Sequence, residues 1–106
     1  MLPQISVHEL AARLTGPNPP LLIDVRDADE FAFCRIAGAQ HKPLMLIAVW
    51  AKELDPQAEI VLQCHVGVRS AQAARYLHRL GFLRVYNLRG GIDAWALQVD
   101  PNLKRY

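Results

Sequence analysis

The residue whose type and setting could do chemistry is Cys64. It follows the apolar run Ile60-Val61-Leu62-Gln63, and Arg69-Ser70 opens a helical pattern soon after it. Cys64-His65-Val66-Gly67-Val68-Arg69 must therefore turn tightly from a strand into a helix, and Gly67 supplies the backbone freedom such a turn requires. A loop of this kind can aim several backbone N–H groups at its centre, where the unpaired amides and dipole of the next helix add positive potential. Thiolate rather than thiol is the nucleophile, and helix N-termini and guanidinium groups can bring a cysteine pKa to about 3.5–7.5. Arg69 is placed to supply that guanidinium. The same cradle would hold a persulfide anion on Cys64 and bind the oxyanion end of a small sulfur donor such as thiosulfate, through the loop residues His65, Val66, Gly67, Val68 and Ser70. No separate general base is then required. His65 is adjacent to Cys64 on a tight loop, where neighbouring side chains seldom face each other, so it is expected at the rim, recognising substrate or partner.

The elements that must position this loop are legible in the pattern around it. Ser6-Val7-His8-Glu9 fits a capping box, with Leu10 and Leu14 following at helical spacing and Gly16 as the stop. Leu21 to Val25 is a short apolar run between turn signals and predicts a strand buried on both faces. A second capping box, Asp27-Ala28-Asp29-Glu30, opens a helix through about Cys34. Leu44 to Leu54 has the length and composition of a third helix. Ile60 to Gln63 is a second buried strand, Ser70 to Leu80 a helix closed by Gly81, and Val85 to Leu88 a last strand. Gly90-Gly91 then turns into a helix over Ile92 to Val99. Strands alternating with helices predict an α/β fold whose mainly parallel sheet carries helices on both faces. In such sheets ligands bind beyond the C-terminal strand ends, which is where Cys64 stands.

Composition sets the remaining bounds. The 106 residues, 52% of them hydrophobic, suit a single domain over 1–106 that buries one core without a metal or a disulfide framework. Two cysteines thirty residues apart, with no Cys-x-x-Cys or Cys/His ligand spacing, predict a reduced, metal-free, cytoplasmic setting with no cofactor. The N-terminus has no signal-peptide pattern, and the longest uncharged apolar run, Leu44 to Ala51, falls far short of the roughly 20 residues of a membrane span. A net charge of +2 with scattered arginines argues against nucleic acid and suits a small anionic substrate.

Other residues invite plainer readings. Cys34, at a helix end without a basic loop around it, is expected to be structural. Asp24 and Arg26 stand at a strand end on the same side of the sheet as Cys64. They either orient its loop or form an ordinary ion pair, such as Arg26 with Glu30. His8, His41 and His78 are isolated and expected to pack or face solvent. Trp50 and Trp95 are expected in the core, and Arg75, Arg79 and Arg84 on a solvated face rather than in a patch for an acidic partner.

Four segments together resemble the rhodanese family of sulfurtransferase domains. Asp24-Val25-Arg26 with Glu30-Phe31, and Arg35-Ile36-Ala37-Gly38-Ala39 with Pro43, resemble its two N-terminal signatures. Cys64 to Ser70 resembles its active-site loop, and Leu88-Arg89-Gly90-Gly91-Ile92-Asp93-Ala94-Trp95 its C-terminal signature. The resemblance implies a three-layer α/β/α rhodanese-like domain with a five-stranded, mainly parallel sheet. It further implies thiosulfate sulfurtransferase activity, in which Cys64 takes sulfane sulfur from a donor and passes it to cyanide in vitro, or to a thiol or sulfur-carrier protein in a cell. The stretch from Gly91 to Tyr106 is also similar to rhodanese domains found with activating enzymes for ubiquitin-like sulfur carriers. This chain departs from the family's common pattern at Cys34-Arg35, often Gly-His, at Ala37, often Pro, and at His65, often Arg. Two other functions fit a cysteine loop: a persulfide-relay or redox-sensing binding module, and a cysteine-dependent phosphatase. Phosphatases with this chemistry resemble one another in placing five residues between Cys and Arg, whereas four separate Cys64 from Arg69.

Overall fold

The computed structural model describes residues 2–106. Five parallel strands form one sheet: β1 (Gln4–Ile5), β2 (Leu21–Asp24), β3 (Gln40–His41), β4 (Ile60–Gln63) and β5 (Val85–Leu88), in the order β1-β5-β4-β2-β3. The helices are α1 (Val7–Leu14), α2 (Ala28–Phe33), α3 (Ile47–Trp50), α4 (Val68–Arg79) and α5 (Gly91–Gln98). At the start of α1 Ser6 and Glu9 bond reciprocally, and at the start of α2 the Glu30 carboxylate accepts from the Asp27 N–H at 3.0 Å while the Glu30 N–H donates to Asp29 Oδ1 at 3.0 Å. Each satisfies amide donors that a helix start leaves unpaired.

Alternation along β4 divides the core. Ile60, Leu62 and Cys64 pack with Trp50, Ala73, Ala74 and Leu77, the side of α3 and α4. Val61 packs with Leu10, Ile92 and Trp95, the side of α1 and α5. A strand exposes successive side chains to opposite faces, so burial of all four residues of β4 requires helices on both sides, giving a three-layer α/β/α arrangement. Trp50 and Trp95 are both buried, one in each layer.

Two sequence expectations shift, and two strands appear that the residue pattern did not show. The segment predicted as one helix over Leu44 to Leu54 breaks into a 3₁₀ turn (Leu44–Leu46), α3 and a second 3₁₀ turn (Ala51–Glu53). Trp50 must reach the core while its indole N–H donates to the Pro43 carbonyl at 2.8 Å, and this tight path favours short turns over a continuous helix. The helix expected from Ser70 starts at Val68, capped by Gly67 at φ 109°, so Arg69 lies in its first turn rather than in the loop. The two-residue strands β1 and β3 have no apolar run of their own, being edge strands held by pairing with β5 and β2.

The direction of chain progression reverses between β4 and β2. From β2 the chain crosses through α2 to β3 on one edge, and from β4 it crosses through α4 to β5 on the other side. The crevice beyond the C-terminal ends of these two neighbouring strands is the topological switch point, where open α/β sheets bind ligands. Cys64 follows β4 there, and Arg26 follows β2.

Candidate active site

Cys64 is 1% exposed, and two backbone N–H groups and a hydroxyl surround its sulfur. The Gly67 amide lies 3.1 Å from Sγ and the Ser70 amide 3.4 Å, with the Ser70 hydroxyl at 3.3 Å. Gly67 and Ser70 are one turn apart at the start of α4, so the helix's free donors and dipole point at the sulfur. Of the loop residues singled out from sequence, Gly67, Ser70 and Cys64 come together. Val66 and Val68 turn their side chains to solvent, at 52% and 67% exposure, and belong to the loop's outer surface.

The loop's carbonyls are held from behind by α5. Ile92 N–H donates to the Cys64 carbonyl at 2.9 Å and Asp93 N–H to the His65 carbonyl at 3.1 Å. This close approach explains Gly91, which the sequence offers as part of a turn and of the C-terminal signature without showing what requires it. With φ at 60°, a Cβ there would sit 2.5 Å from both carbonyl oxygens. Asn87 ties the loop from β5: its Nδ2 donates to the Gly67 carbonyl at 3.2 Å, and its Oδ1 accepts from the Ser70 hydroxyl at 2.5 Å. A polar residue at the end of an otherwise apolar strand, on the same face as Val85, was the available sign of Asn87.

Arg69 stands beside the sulfur, but its guanidinium fork is turned onto Glu30, at 2.7 and 3.0 Å. The charge expected to act on the thiol is therefore shared with a carboxylate from α2. Glu30 is held down to about 2, chiefly by Arg69, against its partial burial and with help from the Tyr106 hydroxyl. Arg69 is raised above its ordinary value, first by Glu30 and to a smaller extent by the nearby Cys64. Arg26 does not pair with Glu30. It is fully buried and forks onto Asp24 at 2.6–3.1 Å, while also donating to the Cys34 carbonyl at 2.6 Å and to Tyr106 Oη at 3.0 Å. Burial alone would lower Arg26, but the bonds to Asp24 and Tyr106 outweigh it and hold it charged.

His65 is half-buried at the loop's rim, where its ring stacks on Tyr106 with centroids 4.1 Å apart. The Tyr106 hydroxyl donates to Glu30 at 2.7 Å, and burial together with that carboxylate pushes it up to about 12. Arg105 pairs with Asp93 at 2.9 Å and Lys104 lies over the Phe33 ring, so residues 104–106 run alongside the site. Sequence offered no sign of this, since the contacts of Tyr106 with His65, Glu30 and Arg26 join residues about 40 to 80 positions apart.

The remaining candidates stand elsewhere. Cys34 caps α2 in the core layer of α1 and α5, with the sheet between it and Cys64. Both thiols are free. His41 bonds the Arg26 carbonyl and stacks on Phe31, His78 bonds the Val85 carbonyl, and His8 is exposed. Arg84 is drawn to Glu59 and the Gln57 carbonyl, away from Arg75 and Arg79. Among the described residues no group of three or more His, Cys, Asp or Glu is placed to hold a metal ion, and no helix is long and apolar enough to cross a membrane.

The chain is similar to known proteins in both sequence and fold. The chain is 40% identical over 96 residues to a sulfurtransferase of Allochromatium vinosum, covering 91% of this chain and 90% of that protein. It is 37% identical over 109 residues to the chloroplastic rhodanese-like/PpiC domain-containing protein 12 of Arabidopsis thaliana, covering 96% of this chain but only 36% of that longer protein. Among solved structures, the rhodanese-like domain protein of Staphylococcus aureus superposes with a TM-score of 0.85 at 28% identity, covering 99% of each chain. The rhodanese-like domain model matches residues 6–98, from the cap of α1 to the end of α5, and the chain belongs to that family.

Proposed function

We propose that this domain transfers sulfane sulfur, carried as a persulfide on Cys64. The observation that carries the reading is the pair of amide hydrogens, from Gly67 at the cap and Ser70 in the first turn of α4, gathered on one sulfur at the switch point of the sheet. Such a cradle stabilises sulfur-centred negative charge. In the first step the Cys64 thiolate attacks the outer sulfur of thiosulfate. The new S–S bond forms as the thiosulfate S–S bond breaks, and the electron pair leaves with sulfite. In the second step cyanide, or a thiol of an acceptor, attacks the outer sulfur of the persulfide, and the electron pair returns to Sγ. No proton is moved at the sulfur in either step with cyanide, so a base such as His65 has no task there.

Arg69 is the group available to meet the oxyanion end of the donor. Turning toward it exchanges the Glu30 carboxylate for the donor's own charge. His65, with Tyr106 stacked on it, forms the rim that an acceptor meets, and Val66 and Val68 offer an apolar outer surface to an acceptor protein, either one carrying a thiol or a sulfur-carrier protein. The anionic donor, the thiol or sulfur-carrier acceptor and a reducing compartment such as the cytoplasm belong to this proposal.

Thiocyanate formation from thiosulfate and cyanide tests it. The wild type is expected to turn over and Cys64→Ser to be inactive, with sulfite released in proportion to sulfur loaded. Hydrolysis of an aryl phosphate without sulfur loading would replace this reading with phosphoryl chemistry. Reversible oxidation of Cys64 without either activity would favour a redox-sensing module.

A further inference from the structure

Asn87 makes bonds that settle which way it faces. Its Nδ2 is 3.2 Å from the Gly67 carbonyl oxygen and 3.3 Å from Gln4 Oε1. A backbone carbonyl can only accept, so the amide nitrogen must lie on that side and Oδ1 on the other. Oδ1 is 2.5 Å from Ser70 Oγ, and both groups are buried. Two oxygens that close require a hydrogen between them, and only the serine has one. Ser70 Oγ is also 3.3 Å from Cys64 Sγ. With its single hydrogen committed to Asn87, the hydroxyl presents a lone pair to the sulfur.

We infer that Asn87 is a positioning residue for Cys64, acting through Ser70: it keeps the serine proton turned away from the sulfur, so that the hydroxyl accepts from a resting thiol instead of donating to a thiolate. Ionisation then rests on the Gly67 and Ser70 amides and the start of α4. The hydroxyl becomes a third donor only by breaking its bond to Asn87. Once a persulfide forms, the charge moves to the outer sulfur, and Sγ no longer asks for that proton. The arrangement thus favours the loaded form of the site over the bare thiolate. This consequence rests on the sulfur-transfer reading, but its test does not.

The other titratable and charged groups around the thiol are Arg69 with its partner Glu30, His65 and Tyr106 at the rim, Asp93 of α5, and the Asp24–Arg26 pair after β2. None of them contacts Ser70 Oγ or Asn87 Oδ1. A change made at Asn87 therefore reaches Cys64 through Ser70 and, by the bond from Nδ2 to the Gly67 carbonyl, through the loop that carries the Gly67 amide; removing the serine separates the two routes.

The experiment is the pH dependence of alkylation of Cys64 by iodoacetamide, with Cys34→Ser as background and no sulfur donor present. Asn87→Ala frees the serine proton for the thiolate, and alkylation near pH 6 is expected to accelerate about tenfold, the size of one hydrogen bond to a charged group. In a Ser70→Ala background, Asn87→Ala is expected to give no acceleration, leaving only whatever slowing follows from releasing the Gly67 carbonyl. Ser70→Ala alone, which preserves the shape of the site, is expected to move the alkylation midpoint to lower pH, and it remains informative if Asn87→Ala does not fold. A midpoint unchanged or raised in Ser70→Ala would overturn the inference, as would an Asn87→Ala acceleration that is absent or that persists undiminished without the serine. Failure of the wild type to load sulfur while these shifts occur would overturn the functional reading and leave this one standing.

Discussion

Cys34 and Cys64 are buried almost equally, at 7% and 1% exposure, and both lie at the end of a secondary-structure element next to an arginine-bearing segment. What separates them is the supply of donors. Cys64 receives two amides and faces a hydroxyl within 3.4 Å. Cys34 receives only the Arg26 guanidinium at 3.8 Å, and that group is already engaged by Asp24, a carbonyl and Tyr106. Burial by itself says little about a cysteine's chemistry; the hydrogens aimed at its sulfur decide it.

The largest effect expected on this contrast comes from exchanging the two thiols for hydroxyls. Cys64→Ser should lose sulfur transfer entirely, whereas Cys34→Ser should stay within about twofold of wild type, as a thiocyanate assay reads directly.

The two arginines sharpen the comparison from another side. Arg26→Ala leaves Asp24 buried without its partner and should cost about 3–5 kcal/mol in a urea unfolding experiment. Arg69→Ala breaks a pair at the rim, 33% exposed on the arginine side, and should cost about 1 kcal/mol or less while reducing transfer strongly. A variant pair with the opposite pattern would place the functional guanidinium at Arg26.

Two glycines with positive φ test how firmly the loop is held. Gly91→Ala drives a Cβ into the Cys64 and His65 carbonyls; strain and overpacking together are expected to cost roughly 2–5 kcal/mol, with transfer falling about 100-fold through displacement of the loop. Gly81→Ala, where nothing lies within 4 Å, should cost only the backbone strain of about 1–2 kcal/mol and leave transfer unchanged.

The smallest effect is on pH. Glu30 is lowered in the folded protein from an ordinary 4.5 to about 2, so its stabilising contribution is complete above about 4.5 and is lost as pH falls toward about 2. Wild type should therefore lose about 1 kcal/mol or less relative to Glu30→Gln between pH 5 and 2, measured by urea unfolding at each pH. Equal slopes would mean that Arg69 does not hold Glu30 in solution.

Much of this frame is legible in the sequence because the deciding physics is local. Capping boxes, β4 with its terminal cysteine, and Gly67 before a helix all act within a few residues. The parallel sheet followed from strands alternating with helices, while the family resemblance supplied the five-strand count, since Gln4–Ile5 and Gln40–His41 are too short to read as strands alone. The rest was hidden because it depends on packing between distant segments. Arg69 meets Glu30 across 39 positions, Tyr106 reaches Arg26 across 80, and Gly91 is demanded by carbonyls of a loop far back in the chain. Local rules could place Arg69 near the thiol but not show that a carboxylate shares it.

The central claim is that donors, not burial, single out one of two enclosed thiols as a sulfur carrier. It is tested most directly by incubating the wild-type protein with thiosulfate, trapping with an alkylating agent, and mapping the adducts by peptide mass spectrometry. One extra sulfur atom on the peptide carrying Cys64, removed by cyanide, with the Cys34 peptide unchanged, is the result expected. Extra sulfur on Cys34, or on both peptides alike, would contradict it.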